Sequence, residues 1–122
     1  MTKILVIQPE LSNNSIFIKL LELEGFNIIV SENAVVGLCK AQSELPDLII
    51  SDIVMPELDG YSLLKALREN PITAIIPFIF LTSEVSQFQI RKAMEMGADD
   101  FITDSCTQEE FLKAIIVRLE RQ

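Results

Sequence analysis

The chain has 122 residues, 49% of them apolar, which suits one well-filled domain and leaves no room for two. Ten Lys and Arg face eighteen Asp and Glu, a net charge of −8, so the surface repels a phosphate backbone and direct nucleic-acid binding is not expected. Histidine is absent, which removes His-based general-base catalysis, His nucleophiles and most zinc sites.

No apolar run approaches the roughly 18–20 residues of a membrane span, and the N-terminus leads directly into a strand without a signal-peptide pattern. The two cysteines, Cys39 and Cys106, lack metal-ligand spacing and read as reduced thiols. A cytoplasmic protein is expected.

Short apolar runs then alternate with amphipathic stretches five times. "ILVI" (4–7) precedes a helix over 15–25, closed by Gly25, with Ile16, Leu20 and Leu23 along one face. "FNIIV" (26–30) is a short strand, and a weaker helix over 32–45 ends at Pro46. "DLIIS" (47–51) is apolar at nearly every position, the pattern of a parallel strand covered on both faces. A helix over 60–70 stops at Pro71, and "PFIFLTS" (77–83) is the fourth strand. A helix over 84–97 closes on Gly97, "DDFIT" (99–103) is the fifth strand, and the last helix, 107–120, opens on a Thr107–Glu110 capping box.

Strict β–α alternation with short connections predicts an α/β fold: a flavodoxin-like (βα)5 doubly wound sandwich around a five-stranded parallel sheet, one domain over 1–122. Sites in such folds form outside the carboxyl ends of the strands. That directs attention to residues 8–10, Asp52, Thr82 with Ser83, and Asp104. Taken singly, an acid or a hydroxyl after a strand is most simply a helix cap.

Together they say more. "DLIISDIVMPELDGYSLLKAL", "IPFIFLTS" and "MGADDFIT" come in an order and at separations that resemble the receiver domain of bacterial response regulators over essentially the whole chain. The resemblance implies a phosphoacceptor at Asp52, a phosphoryl-contacting hydroxyl at Thr82 and a switching aromatic at Phe101. It also implies a partner surface formed by the fourth helix, fifth strand and fifth helix, and a histidine kinase as phosphodonor. Pro56 and Gly60 match the loop beyond the phosphoacceptor.

Two departures stand out. Where the family has an acidic pair after the first strand, this chain has Gln8 and Pro9, with Glu10 next in line. Where the family has lysine then proline after the fifth strand, it has Asp104 and Ser105. Phosphoryl transfer to a carboxylate joins two anions and needs positive charge, which Mg²⁺ held by carboxylates supplies. Asp52 and Glu10 would be the remaining carboxylate ligands, so Mg²⁺ binding should be weakened. An anion about 5 Å from the phosphoryl site would repel it by about 3 kcal/mol at an effective dielectric near 20. A rearranged Glu10–Asp52–Asp104 cation cluster is the competing chemistry.

Three functions are thus on the table. The first is an atypical receiver acting as a protein-interaction module with weak or no Mg²⁺-dependent phosphorylation. The second is a phosphoacceptor served by a cognate kinase. The third, less favoured, is a small-ligand binder or enzyme on the same scaffold. No catalytic constellation points to an enzyme.

Overall fold

The computed structural model describes residues 1–9, 15–83 and 86–120. Five strands and five helices alternate without exception: β1 (Lys3–Ile7), α1 (Ser15–Leu23), β2 (Asn27–Ser31), α2 (Ala34–Glu44), β3 (Leu48–Ser51), α3 (Gly60–Glu69), β4 (Phe78–Thr82), α4 (Gln87–Glu95), β5 (Asp100–Thr103) and α5 (Gln108–Glu120). All strand pairings are parallel, in the order β2-β1-β3-β4-β5. The expected flavodoxin-like sandwich is therefore the observed one.

The period-two geometry of a strand explains the two cores. Leu5, Ile7, Ile49, Phe78 and Phe80 face one way, into a core completed by Leu63, Leu64 and Leu67 of α3 and by Ala34 and Ala41 of α2. Ile4, Val6, Leu48, Ile50, Ile79 and Leu81 face the other way, onto Phe17 and Leu21 of α1 and Phe111 and Ile115 of α5. The sheet is covered on both sides, which is why β1, β3 and β4 are apolar at nearly every position.

Helix ends differ from the expected boundaries by at most three residues, for local reasons. Asn33 accepts the Val36 N–H at 2.8 Å, so α2 starts at Ala34. Ser86 and Gln89 form a reciprocal capping box, which starts α4 at Gln87. The Thr107–Glu110 box is present as expected, with bonds of 2.9 and 3.0 Å. Gly25 and Gly97 close the turns after α1 and α4 at φ of 90° and 102°, where a side chain would be strained.

One ion-pair cluster ties the lower edge of the sheet together. The Arg68 guanidinium on α3 donates to the carbonyls of Gly97, Ala74 and Ile76 and to the Asp99 carboxylate. Asp99 also accepts the Phe78 N–H at 2.8 Å, and Arg118 of α5 donates to its carbonyl. These bonds give α3, the loop before β4, the start of β5 and α5 one shared anchor.

The carboxyl edge, at the other end, holds the point where strand order reverses. β1 is hydrogen-bonded to β2 on one side and β3 on the other. The cleft at this edge lies where β3 and β4 end, and α4 closes it: its lining comes from residues 52–54, from Thr82 and Ser83, and from Gln89.

Candidate functional site

Asp52 is the first residue past β3, and its N–H donates to the Ile7 carbonyl of β1 at 3.0 Å. One carboxylate oxygen accepts the Ile53 N–H at 2.7 Å. The Val54 N–H and the Thr82 hydroxyl also stabilise the charged carboxylate. These groups, with Ser83 and Gln89, line a cleft of about 260 Å³. Thr82 is buried at the end of β4. A larger groove of about 440 Å³, between Leu45, Pro46, Ile72, Ile75, Ile76 and Pro77, lies at the opposite edge of the sheet and is lined chiefly by apolar side chains. The polar chemistry is at the smaller cleft.

Asp104 leaves β5 beside β4: its N–H donates to the Thr82 carbonyl at 2.9 Å. Ser105 follows in a turn, its hydroxyl 2.9 Å from that of Thr103. The Asp104–Ser105 peptide is trans, as expected for a bond without proline. Phe101 is half-buried on β5, with its ring centroid 6.0 Å from that of Phe80.

Burial pushes the Asp52 carboxyl above its usual range. The Ile53 N–H, the Thr82 hydroxyl and the Val54 N–H pull the other way, and repulsion from Asp104 adds the smallest push upward. The expected direction of the Asp104 effect is present, but desolvation leads it.

A stability consequence follows from the sign of that shift. Between the unfolded carboxyl pKa, about 3.9, and the raised folded value, the folded chain holds more protons than the unfolded one. The protonated carboxyl is the better-accommodated form, so this contribution is fully present below about pH 3.9 and is lost as pH rises through the folded pKa. Asp52→Asn, whose amide oxygen keeps the Ile53 bond, should raise Tm at pH 7 by an amount on the order of a few degrees. The difference should close below pH 4, and thermal unfolding from pH 3.5 to 8 checks it.

Gly60, the first residue of α3, fixes the far wall of the turn. Its N–H donates to the Ile53 carbonyl at 2.8 Å. A Cβ there would lie 2.8 Å from the Phe80 ring and 3.0 Å from the Ile53 Cα, and closer still to the Asp52 carbonyl oxygen. Backbone cannot rotate away as a side chain can. Gly60→Ala should therefore cost about 1–3 kcal/mol in urea unfolding, more than the roughly 1 kcal/mol of helix propensity it gains.

The residues singled out in the sequence divide as follows. Asp52 and Thr82 share the cleft, and Asp104 is close enough to act on Asp52. Gln8 continues β1 with an N–H bond to the Ser31 carbonyl at 2.9 Å, and its amide oxygen is buried without a hydrogen-bond partner. Pro9 is half-buried and offers no side-chain ligand atom. Glu10 lies outside the described residues. Among the described residues no three acids or thiols converge on a metal position. Asp52 would give a Mg²⁺ ion one carboxylate and Gln8 one neutral amide oxygen, the sparse end of the one or two carboxylates that protein Mg²⁺ sites use, so such an ion would be held weakly. Gln89, from α4, lines the cleft without having been singled out, because its reach depends on where α4 packs.

An open parallel sheet with a carboxylate and a hydroxyl at the carboxyl ends of adjacent central strands is the arrangement that the receiver resemblance leads one to expect. The response regulator receiver domain model matches residues 4–116, and the chain belongs to that family, whose members are signalling modules of two-component systems. It is 35% identical over 121 residues to the alkaline phosphatase synthesis transcriptional regulatory protein PhoP of Bacillus subtilis, covering 97% of this chain and 50% of that one. It is 30% identical to protein PilH of Pseudomonas aeruginosa, covering 94% and 95%. The signal receiver domain of a histidine kinase from Syntrophus aciditrophicus superposes with a TM-score of 0.87 at 31% identity, over 98% of this chain and 91% of that one. The chain spans about half the length of several curated relatives it matches. Among the described residues, no helix is long and apolar enough to cross a membrane.

Proposed function

We propose that this receiver works as a protein-interaction module of two-component signalling, with weak or no Mg²⁺-dependent phosphorylation at Asp52. The observation that carries the reading is the composition of the carboxyl edge. Gln8 and Pro9 stand where the resemblance leads one to expect acids, and Asp104 stands where it leads one to expect a lysine. A bound Mg²⁺ would supply the positive charge that phosphoryl transfer needs; this edge offers it one described carboxylate and opposes an incoming phosphoryl group with another. Both changes act in the same direction. Partner binding is assigned to the face formed by α4, β5 and α5. Phe101, half-buried on β5, is assigned the role of reporting the state of the cleft to that face.

A second reading is favoured by one feature. Asp52 and the buried Thr82 hydroxyl sit together at the cleft, which is an arrangement a phosphoacceptor needs. In that reading a cognate histidine kinase supplies the phosphoryl group. Among the described residues, no constellation supports a catalytic function of the domain itself.

Incubation with acetyl phosphate and Mg²⁺, followed by intact-mass measurement, separates the readings. The native chain is expected to stay unmodified. The variant Gln8→Asp, Pro9→Asp, Asp104→Lys should accumulate an aspartyl-phosphate at least about 100-fold faster, given the repulsion removed and the ligands restored. Rapid and stable labelling of the native chain at Asp52 would instead establish the second reading, and loss of signalling in cells on Asp52→Asn would support it.

A further inference from the structure

We propose that Lys92 and Tyr61 form a cation–π latch that sets how firmly α4 is held against α3 and the sheet. The proposal is independent of whether Asp52 is phosphorylated.

Begin with the hold on each helix. α3 buries Gly60, Tyr61, Leu63, Leu64 and Leu67, whereas α4 buries only Ala93. A helix with one small buried side chain gains little from apolar burial, so weaker contacts decide its seating. Its first turn is closed on itself by the Ser86–Gln89 box, which supports the helix but ties it to nothing else. In the next turn the Lys92 ammonium lies 4.3 Å from the centre of the Tyr61 ring. That distance is well inside the roughly 6 Å over which a ring face attracts a cation.

The ring itself is firmly placed. Tyr61 is 9% exposed and packs at a centroid distance of 5.5 Å on Phe80, which is wholly buried. It follows directly on Gly60, whose N–H is bonded to the turn after Asp52. Burial, and then the neighbouring Asp59, push the Tyr61 hydroxyl above its usual pKa, so the ring stays neutral over the whole physiological range. The Tyr61 hydroxyl has no hydrogen-bond partner, which leaves the ring face as the group that engages α4.

The consequence concerns the cleft and the surface together. Gln89 lines the Asp52 cleft, and Phe88, beside it on α4, is 74% exposed. Anything that engages either residue and tilts α4 works against the Lys92–Tyr61 contact. The latch therefore sets the threshold for moving the helix that links cleft and surface.

Amide hydrogen exchange of the full chain tests this. Lys92→Met should speed exchange of the α4 amides about 2- to 5-fold, as expected for one exposed cation–π contact, and leave β1 and β3 unchanged. Lys92→Arg and Tyr61→Phe, which keep the cation and the ring face, should behave as the native chain. Arg91→Met removes the same charge from the same part of the helix without touching the ring, so it controls for the helix dipole. No acceleration in Lys92→Met would overturn the latch. So would equal acceleration in Arg91→Met, or an acceleration spread evenly over the sheet.

Discussion

Phe80→Ala should destabilise the fold by about 3–5 kcal/mol, the largest effect expected of any single substitution considered for this chain. Phe80 is wholly inaccessible to solvent. Its ring meets Phe78 edge-on at 4.9 Å, Tyr61 at 5.5 Å and Phe101 at 6.0 Å. Truncation removes the transfer free energy of the ring and leaves a cavity that three other rings and the close-packed Gly60 cannot collapse to fill. Because native domains are stable by only about 5–15 kcal/mol, the variant should sit near its unfolding threshold at 37 °C. Urea unfolding should show a lowered midpoint with an unchanged slope. The cleft should suffer as well, since Phe80 lies two residues from Thr82 and backs the start of α3. Phe80→Leu, which keeps most of the volume, should recover more than half of the loss.

Arg68→Met should cost about 2–4 kcal/mol, although it removes a side chain that a sequence reader would place on the surface of a helix. The methionine keeps the apolar stem, so the loss isolates the guanidinium. Nη1 donates to the Ile76 carbonyl at 2.7 Å and the Ala74 carbonyl at 3.1 Å. Nη2 donates to the Gly97 carbonyl at 2.8 Å and the Asp99 carboxylate at 3.1 Å, and Nε donates to Gly97 at 3.1 Å. Removing it strips donors from three carbonyls and leaves Asp99 with the more distant Arg118 Nη1 at 3.9 Å as its cationic partner. The exposed pair Lys3–Glu44, 3.6 Å apart, is the contrast: its disruption should cost under about 1 kcal/mol. Arg68→Lys should recover only part of the loss, because one ammonium cannot match the guanidinium's fork to acceptors in both the loop before β4 (Ala74, Ile76) and the turn before β5 (Gly97, Asp99). Equal midpoints for Arg68→Met and Glu44→Gln would contradict the assignment of Arg68 as the anchor of that edge.

The contrast between Arg68 and Asp52 shows what kind of information each level carries. Asp52, Thr82 and Asp104 were legible because a parallel sheet puts the exits of its strands along one edge, and strand periods can be counted. The β–α alternation, the two-sided burial of β3 and the Thr107–Glu110 cap were legible for a related reason: each is decided by residues within a few positions of one another. Arg68, Asp99 and Gln89 were not. Asp99 looks like one of two ordinary acids at the entry to β5, and nothing local says that its carboxylate will accept the Phe78 N–H, 21 residues away in sequence. The order of influences on Asp52 was also hidden: sequence pointed to Asp104, whereas burial by the packed turn is the larger cause. Composition and local pattern thus determined the elements, their parallel arrangement and the anionic character of the carboxyl edge, because short-range sterics and hydrophobic period act before packing. Only tertiary structure decided which side chains meet across elements, how deeply Asp52 is desolvated and how lightly α4 is seated, because those depend on distances between residues that the chain brings together from far apart.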